Sequence, residues 1–230
     1  MHRIAIAVLL MGAALPTRAQ DQMRGHWSGS VDVPGQSLAM EIDLDKGPNG
    51  WTGSIAIPAQ GSSGIPLDSI SFADGKCTFR IKGAPGEPTF RGTLSEDGKT
   101  MTGQLAQGPG SFPFQFKRTG DPKVEAEKTS PPLSKEFLGN WEGTLEGPGL
   151  RLVLKMSNEG GGAKAVLVSL DQGNAEIPAS SIAQKDSKLT LEVKMVGGRF
   201  EAEINKDGSE LSGMWSQGGN ELPLKLKKKT

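Results

Sequence analysis

Gly25-His26-Trp27-Ser28-Gly29 returns downstream as Gly139-Asn140-Trp141-Glu142-Gly143, an offset of 114 (141 − 27). The matches continue outward from there. Gln60-Gly61, Ile65-Pro66 and Ser69-Ile70 recur as Gln172-Gly173, Ile177-Pro178 and Ser181-Ile182, at an offset of 112 (172 − 60). Asp97-Gly98, Gly103 and Gln107-Gly108 recur as Asp207-Gly208, Gly213 and Gln217-Gly218, at 110 (207 − 97). Phe112-Pro113-Phe114-Gln115-Phe116 answers to Leu222-Pro223-Leu224-Lys225-Leu226 at that last offset. The offset shrinks in small steps and never reverses, as loop deletions in a duplicated unit would produce.

Each copy is patterned for strands. Leu38, Met40, Ile42 and Leu44 alternate with Glu41, Asp43 and Asp45. Leu150, Leu152, Leu154 and Met156 do the same against Arg151 and Lys155. Cys77, Phe79 and Ile81 correspond to Leu189, Leu191 and Val193. A period of two with one apolar face is the signature of a half-buried strand. Asp74-Gly75, Asp97-Gly98, Gly160-Gly161-Gly162, Gly197-Gly198 and Asp207-Gly208 supply tight turns between the runs. The pattern predicts an all-β fold: two tandem eight-stranded antiparallel meander barrels. Closure into a barrel buries one face of every strand and removes the exposed edges. Two β-sandwiches built from the same strands are the alternative.

The predicted order is a signal peptide over 1–19, a first β-barrel module over 20–118, a linker over 119–137 and a second module over 138–230. Arg3 precedes an uncharged apolar run at residues 4–15, Pro16 breaks it, and Thr17-Arg18-Ala19 carries small residues suited to cleavage after Ala19. The run is shorter than the roughly 20 residues of a membrane span. The linker holds Pro122, Pro131, Pro132 and a mixed-charge Lys-Val-Glu-Ala-Glu-Lys stretch, which reads as solvated and partly stiff. Lys plus Arg equals Asp plus Glu at 26 each, so no global charge draws the chain to nucleic acid or an anionic membrane. A single cysteine, Cys77, leaves no intramolecular disulfide, so packing must hold the fold.

On these residues two resemblances stand. Gly25-His26-Trp27 and Gly139-Asn140-Trp141 resemble the Gly-x-Trp that opens the first strand of lipocalins, which implies a lipocalin- or avidin-like barrel. Each repeat is also similar to the β-rich domain of unknown function that precedes the catalytic domain of some exported bacterial serine hydrolases and β-lactamase-like proteins. Trp141-x-Gly143, Leu150-Arg151-Leu152-Val153-Leu154, Ser169-Leu170-Asp171-Gln172-Gly173, Ile177-Pro178, Asp207-Gly208, Gly213 and Gln217-Gly218 carry that second likeness. In the first repeat Ile57-Pro58-Ala59-Gln60 stands in place of Ser-x-Asp-Gln. No hydrolase domain follows the repeats in this sequence, so the resemblance transfers no activity.

Catalytic chemistry has little to stand on. His26 is the one histidine after the apolar run, and alternation beside inward Trp27 turns it outward as a surface residue. There is no Gly-x-Ser-x-Gly elbow for a nucleophilic serine. One His and one Cys fall short of a zinc ligand set. Cys77 is in phase with Phe79 and reads as a buried, inert thiol. The carboxyl-terminal Lys225, Lys227, Lys228 and Lys229 read as a solvated strand end. The residues singled out as candidate binding residues are Gln60, Gln107, Gln172, Gln217, Trp51 and Trp215. Gln107 and Gln217 lie in phase with inward positions near a barrel end. Their amides would serve either loop backbone groups at the rim or a small ligand.

The function expected is that of a non-catalytic exported binding or interaction module of the cell envelope, periplasmic or secreted. Its expected partner is a small apolar ligand or an envelope protein, with no nucleic acid, metal, cofactor or membrane span. An accessory partner of a separately encoded serine hydrolase and an enzyme with a carboxylate-based site are the alternatives.

Overall fold

The computed structural model of the protein describes residues 21–229, so the predicted signal peptide and its cleavage point lie outside the described residues. The first repeat forms β1 (Gly25–Val33), β2 (Gln36–Gly47), β3 (Gly50–Ile57), β4 (Ser62–Ala73), β5 (Lys76–Ile81), β6 (Thr89–Leu94), β7 (Thr100–Gln107) and β8 (Gly110–Gly120). Each strand pairs with its sequence neighbours, and β8 pairs with β1, so the meander closes into an eight-stranded antiparallel barrel. The second repeat forms β9 (Gly139–Leu145), β10 (Leu150–Glu159), β11 (Gly162–Ser169), β12 (Ala175–Pro178), β13 (Ser181–Lys185), β14 (Lys188–Val193), β15 (Gly198–Ile204), β16 (Glu210–Gln217) and β17 (Asn220–Lys228). These make one nine-stranded sheet curled into a half-barrel, with β12 and β13 at its two ends.

The ninth strand departs from the eight expected, and its origin is local. β12 and β13 together occupy the position of β4. The Ala179 N–H donates to the Ala165 carbonyl of β11 at 2.9 Å, whereas the next N–H, Ser180, donates to Glu192 of β14 at 2.7 Å. One chain segment thus changes neighbours between two residues, and the ladder breaks there. In the first barrel the same place is only a bulge, between Asp68 and Ser71 on β4.

Two separate cores result. Trp27 and Trp141 are fully buried, each in its own cluster. The Trp27 indole N–H donates to the Met23 carbonyl at 3.0 Å, and that of Trp141 to Phe137 at 2.8 Å. Met23 and Phe137 are themselves fully buried. The duplicated unit therefore begins a few residues earlier than its sequence match. The cations of Arg118 and Lys228 lie 4.7 and 5.1 Å from the two indole ring centres, the same device in both copies.

The second half of the linker is part of the second module. Ser130 accepts the Ala163 N–H of β11 on its carbonyl (2.8 Å) and the Ile182 N–H of β13 on its hydroxyl (3.0 Å). The Leu133 backbone exchanges two hydrogen bonds with the Asn158 amide, at 2.9 and 2.8 Å. Ser134 donates to Gln184 Oε1 from both its N–H and its hydroxyl. Residues 130–134 thereby bridge the stretch where β11 and β13 are not laddered together, and Leu133 among them is buried in the second core.

Candidate functional site

The site is built at one end of the first barrel. Its rim consists of the β1–β2 turn, a short 3-10 helix at Pro58–Gln60, the loop 82–88 and the β7–β8 turn. A cavity of about 260 Å³ opens there. Val33, Leu38, Met40, Ile57, Ile81 and Phe112 of the strands form its wall, and Ala84, Pro85 and Pro88 of the loop form its lip. Elsewhere in the barrel core Phe79, Phe90, Phe114 and Phe116 pack with neighbouring ring centres 4.8 to 6.2 Å apart. The cavity is an apolar cup at the barrel mouth. Among the described residues, Gln60 and Gln107 are the only polar side chains in its lining.

The equivalent end of the second barrel is plugged. Trp215 stands where the first repeat has Leu105, and Gly198 where it has Pro88. A Cβ on Gly198 would lie 2.2 Å from the Trp215 ring, so the indole occupies the space that any side chain there would need. Trp215 is only 3% exposed, and its N–H donates to Gln217 Oε1 at 2.9 Å. The rim of this barrel is also tied down. The Asp171 carboxylate accepts from the Arg151 backbone N–H and guanidinium, which pins the 3-10 helix Leu170–Gln172 to β10. The guanidinium holds the Asp171 carboxyl below the usual carboxylate range. The corresponding residues of the first repeat are Ala39 and Ala59, so both halves of this clamp are missing from the open mouth.

The second module reaches over the mouth. A turn at Lys194–Val196 brings Met195 into the cavity lining. The Ser62 hydroxyl donates to the Met195 carbonyl at 3.1 Å, and Lys194 Nζ donates to the Gly64 carbonyl at 3.3 Å. Linker side chains complete the contact. Glu125 pairs with Lys194, Glu127 with Lys82 at 2.8 Å and Lys128 with Glu192 at 2.8 Å. The Lys128 ammonium holds the Glu192 carboxyl below the usual glutamate range. The mixed-charge stretch of the linker is largely exposed, as expected, and its ion pairs alternate between the two modules. A smaller cavity of about 120 Å³ lies in this cleft, and Ile65 and Met195 line both spaces.

The six candidate residues fall into three places. Gln60 and Gln107 meet at the first mouth. Gln172, Gln217 and Trp215 lie at the same end of the second barrel, and Trp51 lies half-buried at the opposite end of the first, with the Lys46 ammonium 5.5 Å from its ring centre. Gln107 and Gln217, expected to point inward, are exposed, and each amide donates to a rim carbonyl: Pro85 at 3.3 Å and Val196 at 2.8 Å. The sequence reading missed Met195 and the proline loop. The Leu105/Trp215 and Pro88/Gly198 differences between the repeats were the signal available.

His26 is better partnered than expected of a surface residue. Its Nδ1 lies 2.9 Å from Asp43 Oδ1, and its Nε2 lies 3.5 Å from the Ser28 hydroxyl. Asp43 also accepts the Lys123 N–H at 2.8 Å, which fastens the start of the linker to the barrel wall. Ser28 sits in register with Glu41 on one side and Lys117 on the other, so the backbone N–H groups around it are spent on two ladders. Cys77 is buried, and burial pushes its thiol up to about 11. Among the described residues no three His, Cys, Asp or Glu side chains gather as a metal would require, and no helix is long and apolar enough to cross a membrane.

No family model and no curated protein matches the chain. Among solved structures, a protein of unknown function from the DUF3598 family of Nostoc punctiforme is similar to it. The identity is 13% and the TM-score 0.25, over 92% of this chain and 98% of that one. A likeness at that score carries no argument about fold or function.

Proposed function

We propose that this protein is a non-catalytic binding module of the cell envelope that holds one small, uncharged, largely aliphatic ligand in the mouth of its first barrel. The observation that supports this is the contrast between the repeats. The same fold is plugged by Trp215 and clamped by Arg151–Asp171 in one copy, and hollow and unclamped in the other. A ligand cup lined by apolar side chains with a few placed polar groups is the usual form of a small-molecule site. Among the described residues the lining carries no charged side chain, which favours a ligand without one, since an unpaired charge would be costly to desolvate there. The Gln60 and Gln107 amides offer neutral hydrogen bonds to a polar end at the rim. The export signal read at residues 1–19 of the sequence supports the placement in the envelope.

The test transplants the plug. N-phenylnaphthylamine, a neutral apolar fluorophore, is titrated into the full-length protein, and n-alkanols of increasing length are used to displace it. Saturable binding at one site per chain is expected. The double variant Pro88→Gly/Leu105→Trp reproduces the packing of the second barrel and should weaken binding by at least about tenfold, or 1.4 kcal/mol. Circular dichroism of this variant should stay that of the folded protein, because the second barrel already accommodates the same pair. Unchanged binding in a folded double variant would sink the proposal.

A further inference from the structure

We infer that the second barrel is the lid of the first, its Lys194–Val196 turn lifting from the mouth to admit ligand and settling back to enclose it. This rests on the binding reading above and adds how access is controlled. The wall of the cup is incomplete without the other module, because Met195 is part of it. Met195 and Ile65 also separate the cup from the cleft between modules, so lifting that turn joins the two spaces.

The contact is built to come apart. The two hydrophobic cores do not merge across it. Besides Met195 in the cup wall and Pro178 against Gly83, it is held by the Ser62–Met195 hydrogen bond, by Lys194 on the Gly64 carbonyl, and by linker ion pairs whose glutamates Glu125 and Glu127 are 53% and 60% exposed, against 17% for Lys194. Exposed pairs contribute little and are screened by salt. Modules of one chain move relative to one another unless their interface is large and hydrophobic. Close backbone approach replaces side-chain packing at the hinge of the contact: a Cβ on Gly197 would lie 2.6 Å from the Gly61 carbonyl oxygen. The second barrel, plugged and clamped, is suited to move as a rigid body.

Stopped-flow fluorescence with N-phenylnaphthylamine and the full-length protein tests this. The probe is neutral, so screening acts on the lid contacts alone, and salting-out of an apolar probe would favour uptake while slowing release. Raising NaCl from about 0.1 M to about 1 M shortens the Debye length from about 10 Å to about 3 Å and should speed uptake and release together. Lys194→Met removes the Glu125 and Gly64 contacts and should raise both rates by about fivefold, the weight of the strongest exposed pairs. Rates that ignore salt, or a variant that speeds release alone, would make the turn a fixed wall and overturn the lid. Those outcomes leave the binding reading intact, whereas persistence of binding in the plugged double variant removes that reading itself.

Discussion

Trp141→Ala should lower the stability of the second barrel by about 3–5 kcal/mol, the usual cost of emptying a buried tryptophan site, and leave the first barrel's melting nearly unchanged. The site cannot easily collapse. Trp141 is fully buried, its indole N–H donates to the Phe137 carbonyl, and Phe137 is itself fully buried in the same core. Truncation therefore leaves a void, removes the indole donor from the Phe137 carbonyl, and loosens the chain leading into β9. Trp27→Ala should act in the same way on the first barrel, through Met23. The two losses should add, since the cores are distinct and neither tryptophan lies at the contact between modules. For domains of this size each kcal/mol moves the midpoint by about 4–8 °C. Calorimetry of each single variant should show one transition displaced downward by more than about 10 °C and one in place. A joint downward shift of both transitions in either variant would mean that the barrels share a core.

Gly213→Val should prevent the second barrel from forming at all. An ideal Cβ at Gly213 falls 1.9 Å from the Glu201 carbonyl oxygen, which belongs to the paired strand β15. The same collision exists at Gly103 with Arg91 (2.1 Å), at Gly143 with Lys225 (1.9 Å) and at Gly29 with Gln115 (2.0 Å). These glycines recur as two matched pairs in the repeats, at points where one strand's backbone crosses close over its neighbour. A side chain in an overpacked core typically costs about 1–3 kcal/mol because neighbouring side chains give way. Here the obstacle is a laddered carbonyl, so relief requires breaking the sheet. The expected protein shows a single melting transition, that of the first barrel. Gly47→Ala is the control, since nothing lies within 4 Å of its added methyl. Two intact transitions in Gly213→Val would show that the ladder can yield.

Much of this architecture was legible before any coordinates. The strand alternation and the Trp27/Trp141 register depend on local spacing, and they placed the sheets and the core correctly. What escaped depended on non-local contacts. The split of β4 into β12 and β13 in the second copy turns on which neighbour the Ala179 and Ser180 N–H groups meet, and no residue pattern announces that. Met195 sits in a turn with no alternation to orient it, and its role arises from packing against a different module. The linker's end escaped for a related reason. Residues 125–129 are exposed, as their charges suggest, yet Ser130, Leu133 and Ser134 carry hydrogen-bonding groups that match an open seam found only in three dimensions. The hollow mouth lay between these cases, written in Leu105 against Trp215 but visible only once both were known to occupy the same place in a barrel.

The segment at residues 130–134 has a consequence for how this chain can be cut. A fragment beginning at Leu138 would keep every strand of the second barrel and lose Ser130, Leu133 and Phe137. The Ala163 and Ile182 N–H groups would then face water on two bare strand margins, beside an unstopped apolar interior. Such margins recruit strands from other molecules. That fragment should self-associate at concentrations where one starting at Thr129 stays monomeric, which sedimentation would show. The true start of the second folding unit is thus set by who covers its edge, and lies upstream of its first strand.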